Sequence, residues 1–155
     1  MTRGPSLGHV HLKVSDLERA ESFYRDVLGF IPTMRYGDNI SFLAFDAAYH
    51  HHLALNVAQT RGAAPAPAKT AGILHFAILY PTQDGLIEAA RRVIANDVEI
   101  FAASDHGNSI GLYLHDPDGI EVELTWDRNP AEWPRSEDGS PSPSVTPLDL
   151  PAFLA

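Results

Sequence analysis

The stretch "LGHVHLKVSDLERAESFYRDVLGF", Leu7–Phe30, changes its hydrophobic period halfway along, and that change decides the fold. Up to Val14 it alternates, with Val10, Leu12 and Val14 on one face and His9, His11 and Lys13 on the other, the pattern of a half-buried strand. From Ser15 the spacing becomes helical, and Leu17, Ala20, Tyr24, Val27 and Leu28 form one apolar stripe. Ser15 with Glu18 matches a capping box, and Gly29 stands where a glycine ends a helix. Two strands around a short turn follow, "NISFLAFD" and "HHLALNV".

The same order then recurs. The strand "GILHFAIL" precedes the helix "DGLIEAARRVIAND", with Leu86, Ala90, Val93 and Ile94 inward and Asn96 near its stop. The strands "SIGLYLHD" and "IEVELTW" come next, joined by "DPDG", a strong turn signal. Between the copies, "QTRGAAPAPAKTAG" is Ala/Pro/Gly-rich and reads as a linker. The expectation is an α+β fold of two tandem βαβββ modules pairing into a curled mixed sheet. The modules cover about residues 7–58 and 72–128, the linker 59–71, and the whole forms one domain over 1–134. After Asn129 the chain turns Pro/Ser/Asp-rich, so 135–155 is expected as an extended or disordered tail. Its last residues, "PAFLA", are apolar enough to dock on the domain or on a partner.

At 155 residues, 45% hydrophobic and 20% charged, the chain has the balance of a globular domain with a substantial core. Its formal charge is −9, and its longest cationic run is Arg91-Arg92, which argues against a nucleic-acid partner. No apolar run approaches the roughly 18 residues of a membrane span, and "MTRGPSLGHV" lacks a signal-peptide core. No membrane partner and a cytoplasmic location are the expectations. With no cysteine present, any metal must be held by His, Asp or Glu.

Histidines occupy like positions in the opening strands of the two copies: His9 and His75. In the last strand Glu121 and Glu123 share one face. If the modules pair about a pseudo-twofold axis, equivalent positions converge, and His9, His75 and Glu123 form a metal-binding set. Two imidazoles and one carboxylate make the facial triad of non-haem Fe(II) sites, with coordination positions left open.

"LGHVHLKVSDLERAESFYRDVLGF", "YHHHLALN", "LHFAILYPT", "SDHGNSIGLYLHDPDG" and "VELTWDRNPAEWP" together resemble the vicinal oxygen chelate superfamily. That superfamily includes glyoxalase I, bleomycin-resistance proteins, fosfomycin-resistance enzymes and extradiol dioxygenases. The similarity runs over about residues 7–134, and its detail is closest to catechol 2,3-dioxygenase-like members. It implies modules curling around a metal-centred cleft, with His9, His75 and Glu123 as metal ligands. Glyoxalase I relatives place a second glutamate where this chain has Ala54, so the resemblance implies three ligands rather than four.

The resemblance also gives a role to the histidine run in "YHHHLALNV", Tyr49–Val57. His51 falls at the position of the acid–base catalyst of extradiol enzymes, a task suited to a side chain that titrates near neutrality. A straight strand puts His51 and Ala54 on opposite faces, so either the strand begins irregularly or His50 or His52 holds the role. By the same carry-over His106 hydrogen-bonds substrate or oxygen, and Tyr113 bonds a substrate hydroxylate. The implied activity is cleavage of a catecholic ring by O2 with Fe(II), or with Mn(II) or another divalent ion. The implied partners are a small aromatic diol, O2 and a second copy of the chain, as a homodimer or higher oligomer. The alternatives are a metal-free, bleomycin-resistance-like binding dimer and a non-oxidative metalloenzyme, such as an isomerase, epimerase or thiol transferase.

Overall fold

A computed structural model describes residues 4–67 and 69–155. Met1–Arg3, at the start of the expected domain, and Ala68, within the expected linker, lie outside the described residues. The chain divides into two compact units, Met1–Ala71 with Pro117–Gly119, and Gly72–Asp116 with Ile120–Ala155. Each is α+β with one open mixed sheet. No helix among the described residues is long and apolar enough to cross a membrane.

In the first unit β1 (Val10–Lys13) is followed by α1 (Leu17–Ser22), which continues as a π-helical turn over Phe23–Val27. Then come β2 (Ile31–Tyr36), β3 (Ile40–Ala44) and β4 (Leu53–Asn56). The sheet order is β1-β4-β3-β2, with β1 parallel to β4 and the other pairs antiparallel. β2 went unmarked by the sequence pattern because every residue in it is exposed, so no alternation was there to read.

The helix stripe holds: Leu17, Ala20, Tyr24, Val27 and Leu28 are buried. The capping box does not. Asp16 is the N-cap, its side chain accepting from Arg19 N, while Ser15 Oγ donates to Asp118 Oδ1 at 2.5 Å. Glu18 instead pairs with Arg35. Arg35 also pairs with the buried Glu21, which accepts from Ser41 Oγ, so the buried charge has partners from β2 and β3. Gly29, at φ +82°, ends the helix as expected.

The second unit contains β5 (His75–Leu79), α2 (Gln83–Ala95), β6 (Ala102–Asp105), β7 (Ser109–His115) and β8 (Glu121–Asp127). Its sheet order is β5-β8-β7-β6-β9. α2 starts one residue before the expected Asp84, capped by Thr82, and buries Leu86, Ala89, Ala90 and Val93. Ile94, expected inward, is 47% exposed, and Ala89 takes its place. β6 was another unmarked strand, half-buried throughout.

In the tail, expected as extended or disordered, two short ordered elements occur. A short strand, β9 (Thr146–Pro147), pairs with Ser104 and Asp105 of β6, and α3 (Leu150–Leu154) packs against α2. "PAFLA" thus docks on its own unit, where Arg91 Nη2 donates to Leu154 O at 2.5 Å.

Candidate functional site

In each sheet one face packs under a helix and the other is open. In the second unit Ile110, Leu112, Leu114, Val122 and Leu124 are buried on the α2 side. The alternate residues stand on the open face: His75, Ala77, Glu121, Glu123, Tyr113 and His115. Register brings them together. β8 lies between β5 and β7, with Glu123 opposite Ala77 on one side and Tyr113 on the other, and Glu121 opposite His75 and His115.

A chain of polar contacts follows. His75 Nε2 lies 3.1 Å from Glu123 Oε2, and Tyr113 Oη donates to Glu123 Oε1 at 3.2 Å. His106 Nε2 meets the same Tyr113 oxygen at 3.0 Å. The carboxylate can only accept, so the single phenolic proton goes to Glu123, and His106 Nε2 must carry a proton and donate. His75 Nδ1 is buried and makes no hydrogen bond, although Glu121 Oε1 is 3.3 Å away. Burial first, then the Glu123 charge, push the Tyr113 phenol up to about 12, so it stays a proton donor at neutral pH.

Sequence reasoning missed Gly111. A Cβ there would lie 2.6 Å from Glu123 Oε1 and 2.9 Å from Tyr113 Oη, so the bare backbone makes the space in which these two groups meet. The signal was available: glycine inside an otherwise regular strand, "SIGLYLHD", often marks a close approach.

The open face of the first sheet carries His9, His11, Phe42 and Ala54, the last three aligned across β1, β4 and β3. The histidine run resolves into three different environments. His52 N donates to Leu43 O at 2.8 Å, while Leu43 is also in register with Leu53, so two residues oppose one as in a bulge. Thr33, the extra residue where β2 pairs with β3, donates to His50 O at 2.6 Å and holds the run in place. This irregular start reverses the parity. The His51 ring turns to His9 (centroids 4.5 Å apart) and Phe42 (4.9 Å), whereas the His52 ring turns to Phe45 and Tyr49.

His51 Nδ1 is 2.6 Å from His50 Nδ1, which leaves Nε2 as its free nitrogen. Burial, followed by the neighbouring His50, His9, His11 and His52, holds the His51 pKa below the ordinary imidazole value, so its base form prevails at neutral pH. His11 reaches Asn56 at 3.3 Å, and His115 stacks on Phe101.

Of the expected site residues, His75, Glu123, Tyr113 and His106 therefore meet in the second unit, and His9 and His51 meet in the first. Among the described residues no three His, Asp or Glu side chains are gathered as a metal cluster.

The chain is 39% identical over 87 residues to a catechol-2,3-dioxygenase of Bacillus subtilis, a match covering 56% of this chain and 30% of that protein. It is 32% identical over 127 residues to biphenyl-2,3-diol 1,2-dioxygenase 3 of Rhodococcus globerulus, covering 82% of this chain and 66% of that one. This chain thus spans only part of either relative. Among solved structures, a lactoylglutathione lyase from Agrobacterium tumefaciens superposes with a TM-score of 0.63 at 24% identity, over 79% of this chain and 94% of that one, and shares the fold. The family model described as Glyoxalase/Bleomycin resistance protein/Dioxygenase superfamily matches residues 6–124. With open sheets of four and five strands and a family match over most of its length, the chain belongs to the glyoxalase/bleomycin resistance protein/dioxygenase superfamily.

Proposed function

We propose that this protein is an extradiol-type dioxygenase that cleaves a catecholic ring with O2, using Fe(II) in preference to Mn(II) or another divalent ion. The observation that carries the reading is the meeting of His75, Glu123, Tyr113 and His106 on one open sheet face. The donor set suits a divalent ion. His75 Nε2 and Glu123 Oε2 are 3.1 Å apart. Adjacent ligands at right angles, each bonded at about 2.1 Å, stand about 3.0 Å apart. His75 and Glu123 would hold the ion, and His9 is proposed as the third ligand from its place in the motif. The names of the relatives, a catechol and a biphenyl-diol dioxygenase, agree with this choice of substrate class.

When bound, the ion would supply a Lewis acid and a redox centre for a vicinal diol and O2. A single ligand carboxylate leaves residual positive charge, which favours an anionic catecholate over a neutral phenol. His51 accepts a catechol proton at Nε2, since Nδ1 is engaged by His50, and its lowered pKa keeps it available as a base. Tyr113, protonated at neutral pH, donates to a substrate hydroxylate. His106, the donor to Tyr113, orients that phenol or bonds the substrate directly.

The test is anaerobic reconstitution followed by metal analysis and a panel of catechols. The expected result is iron-dependent ring cleavage, with iron lost in Glu123→Ala, His75→Ala and His9→Ala while the fold persists. Stoichiometric iron retained by Glu123→Ala overturns the ligand assignment. A protein that binds no metal, or only a non-redox divalent ion, points to the binding-module or non-oxidative reading respectively.

A further inference from the structure

The family match ends at residue 124, yet the segment after it is built into the turn that carries His106. That turn joins β6 to β7. Its own hairpin supplies two bonds, His106 N to Ser109 O at 2.9 Å and Gly107 N to the Asp105 carboxylate at 2.7 Å, and Arg128, the residue after β8, adds a third from its N to Asn108 O at 2.9 Å. Arg128 also grips Asp105 through two 2.8 Å contacts, so the inner side of the turn is fixed by the residue that follows β8.

The outer side is fixed by the tail. Ser144 N donates to His106 O at 3.0 Å, and Leu148 N to Ala103 O at 3.0 Å. Between them β9 pairs with Ser104 and Asp105, converting β6 from an edge into an interior strand. Pro134 lies against Gly107 so closely that a Cβ there would meet Pro134 Cγ at 2.8 Å, and Gly107 has φ +77°. Ser142 N donates to Pro134 O at 2.8 Å, tying the two points of contact to each other. Past β9, α3 anchors the end of the strand on α2.

We propose that residues 134–148 form a positioning strap for His106, with Pro134 and Ser144 as its positioning residues, acting on Gly107 and on the His106 backbone. The inference rests on the reading of His106 as a group at the substrate site. A hairpin tip containing Gly107 and Asn108 has little side-chain packing of its own. With the His106 N–H held from inside the hairpin and its C=O held by the strap, the direction of the imidazole toward Tyr113 is set during folding. The ordering cost is then not charged against substrate binding. This also accounts for a Pro/Ser-rich segment being ordered: most of its hydrogen bonds to β6 and the turn are made by the backbone and do not depend on an apolar pattern.

The test uses the full-length chain with 15N-labelled histidine. Ser144→Pro removes the amide that bonds His106 O, Ser144→Ala keeps it, and Pro134→Gly removes the ring packed on Gly107. In the metal-free wild type and Ser144→Ala, the His106 ring is expected as the Nε2–H tautomer with a slowly exchanging proton. Ser144→Pro and Pro134→Gly are expected to give an exchange-averaged His106 signal, with the His75 and His115 signals unchanged as evidence of an intact sheet. In the iron-loaded enzyme, kcat/KM for a catechol should fall about 10²-fold in these two variants at constant iron content, the scale of a misplaced site group. If Ser144→Pro fails to fold, Pro134→Gly decides. An unchanged His106 signal in the folded variants overturns the strap. A wild type that cleaves no catechol, with His106 still released in the variants, overturns the proposed activity and leaves the strap standing.

Discussion

Gly111→Ala isolates the geometry of the site from the stability of the fold. The new methyl would sit 2.6 Å from Glu123 Oε1, 2.9 Å from Tyr113 Oη and 3.2 Å from Tyr113 Cε2. Non-bonded carbon and oxygen come into ordinary contact at roughly 3.4 Å, so the carboxylate oxygen must retreat by about 0.8 Å. Both crowded groups are the far ends of side chains, so the strand itself need not move. Alanine also restricts the unfolded chain more than glycine, a gain of about 0.4–1 kcal/mol that offsets part of the side-chain strain. The Tm is therefore expected to stay within about 4 °C of wild type. Metal binding is far less tolerant, because ligand distances hold to about 0.2 Å. An 0.8 Å shift of Glu123 is expected to weaken Fe(II) affinity at least ~100-fold, the upper range for disturbing a ligand's support. Anaerobic competition titration against a chelator measures the affinity, and a thermal melt checks the fold. A Gly111→Ala protein that melts normally and binds Fe(II) as tightly as wild type would refute Glu123 as a ligand held in this position.

His51→Gln is expected to keep its iron and to lose turnover by roughly 10²–10⁴-fold, the usual worth of a positioned proton-transfer group. His52→Gln is the control, since its ring faces Phe45 and Tyr49, and a larger loss there than in His51→Gln would reverse the assignment. The Arg128 hydrogen bonds hold the Asp105 carboxyl below the usual range, assisted by Gly107 N. Its stabilisation is therefore present above the unfolded value near ~3.9 and is lost as pH falls through the depressed folded value. Asp105→Asn should lose about 1–2 kcal/mol at neutral pH, discounted for partial exposure, and flatten that acid limb of stability; denaturant melts from pH 2 to 7 measure both. β2 is an edge strand that exposes Ile31, Met34 and Tyr36, which supports the proposed homodimer or higher oligomer. Sedimentation should show it, and a monomer at working concentration would end that proposal.

The sequence by itself determined the repeated strand–helix–strand order, the buried stripe of α1, and the alternation that placed Glu121 with Glu123 opposite Val122 and Leu124. These are local quantities: a period of two or of about three and a half, read over a few residues, fixes which side faces a core. The same alternation could not find β2 or β6, because exposed and half-buried strands carry no two-sided contrast. Nor could it find the ordered tail, whose bonds to β6 come mainly from backbone groups that carry no side-chain signature. The tertiary structure alone decided which histidine of the run faces His9, because one bulge opposite Leu43 turns His51, rather than His52, toward it. It alone showed that Gly111 makes room for Glu123 beside Tyr113, since that space exists only where β7 and β8 lie in register. Residue types and spacing carry the candidates for chemistry, but the distances between their polar atoms depend on strand register, which long-range pairing sets.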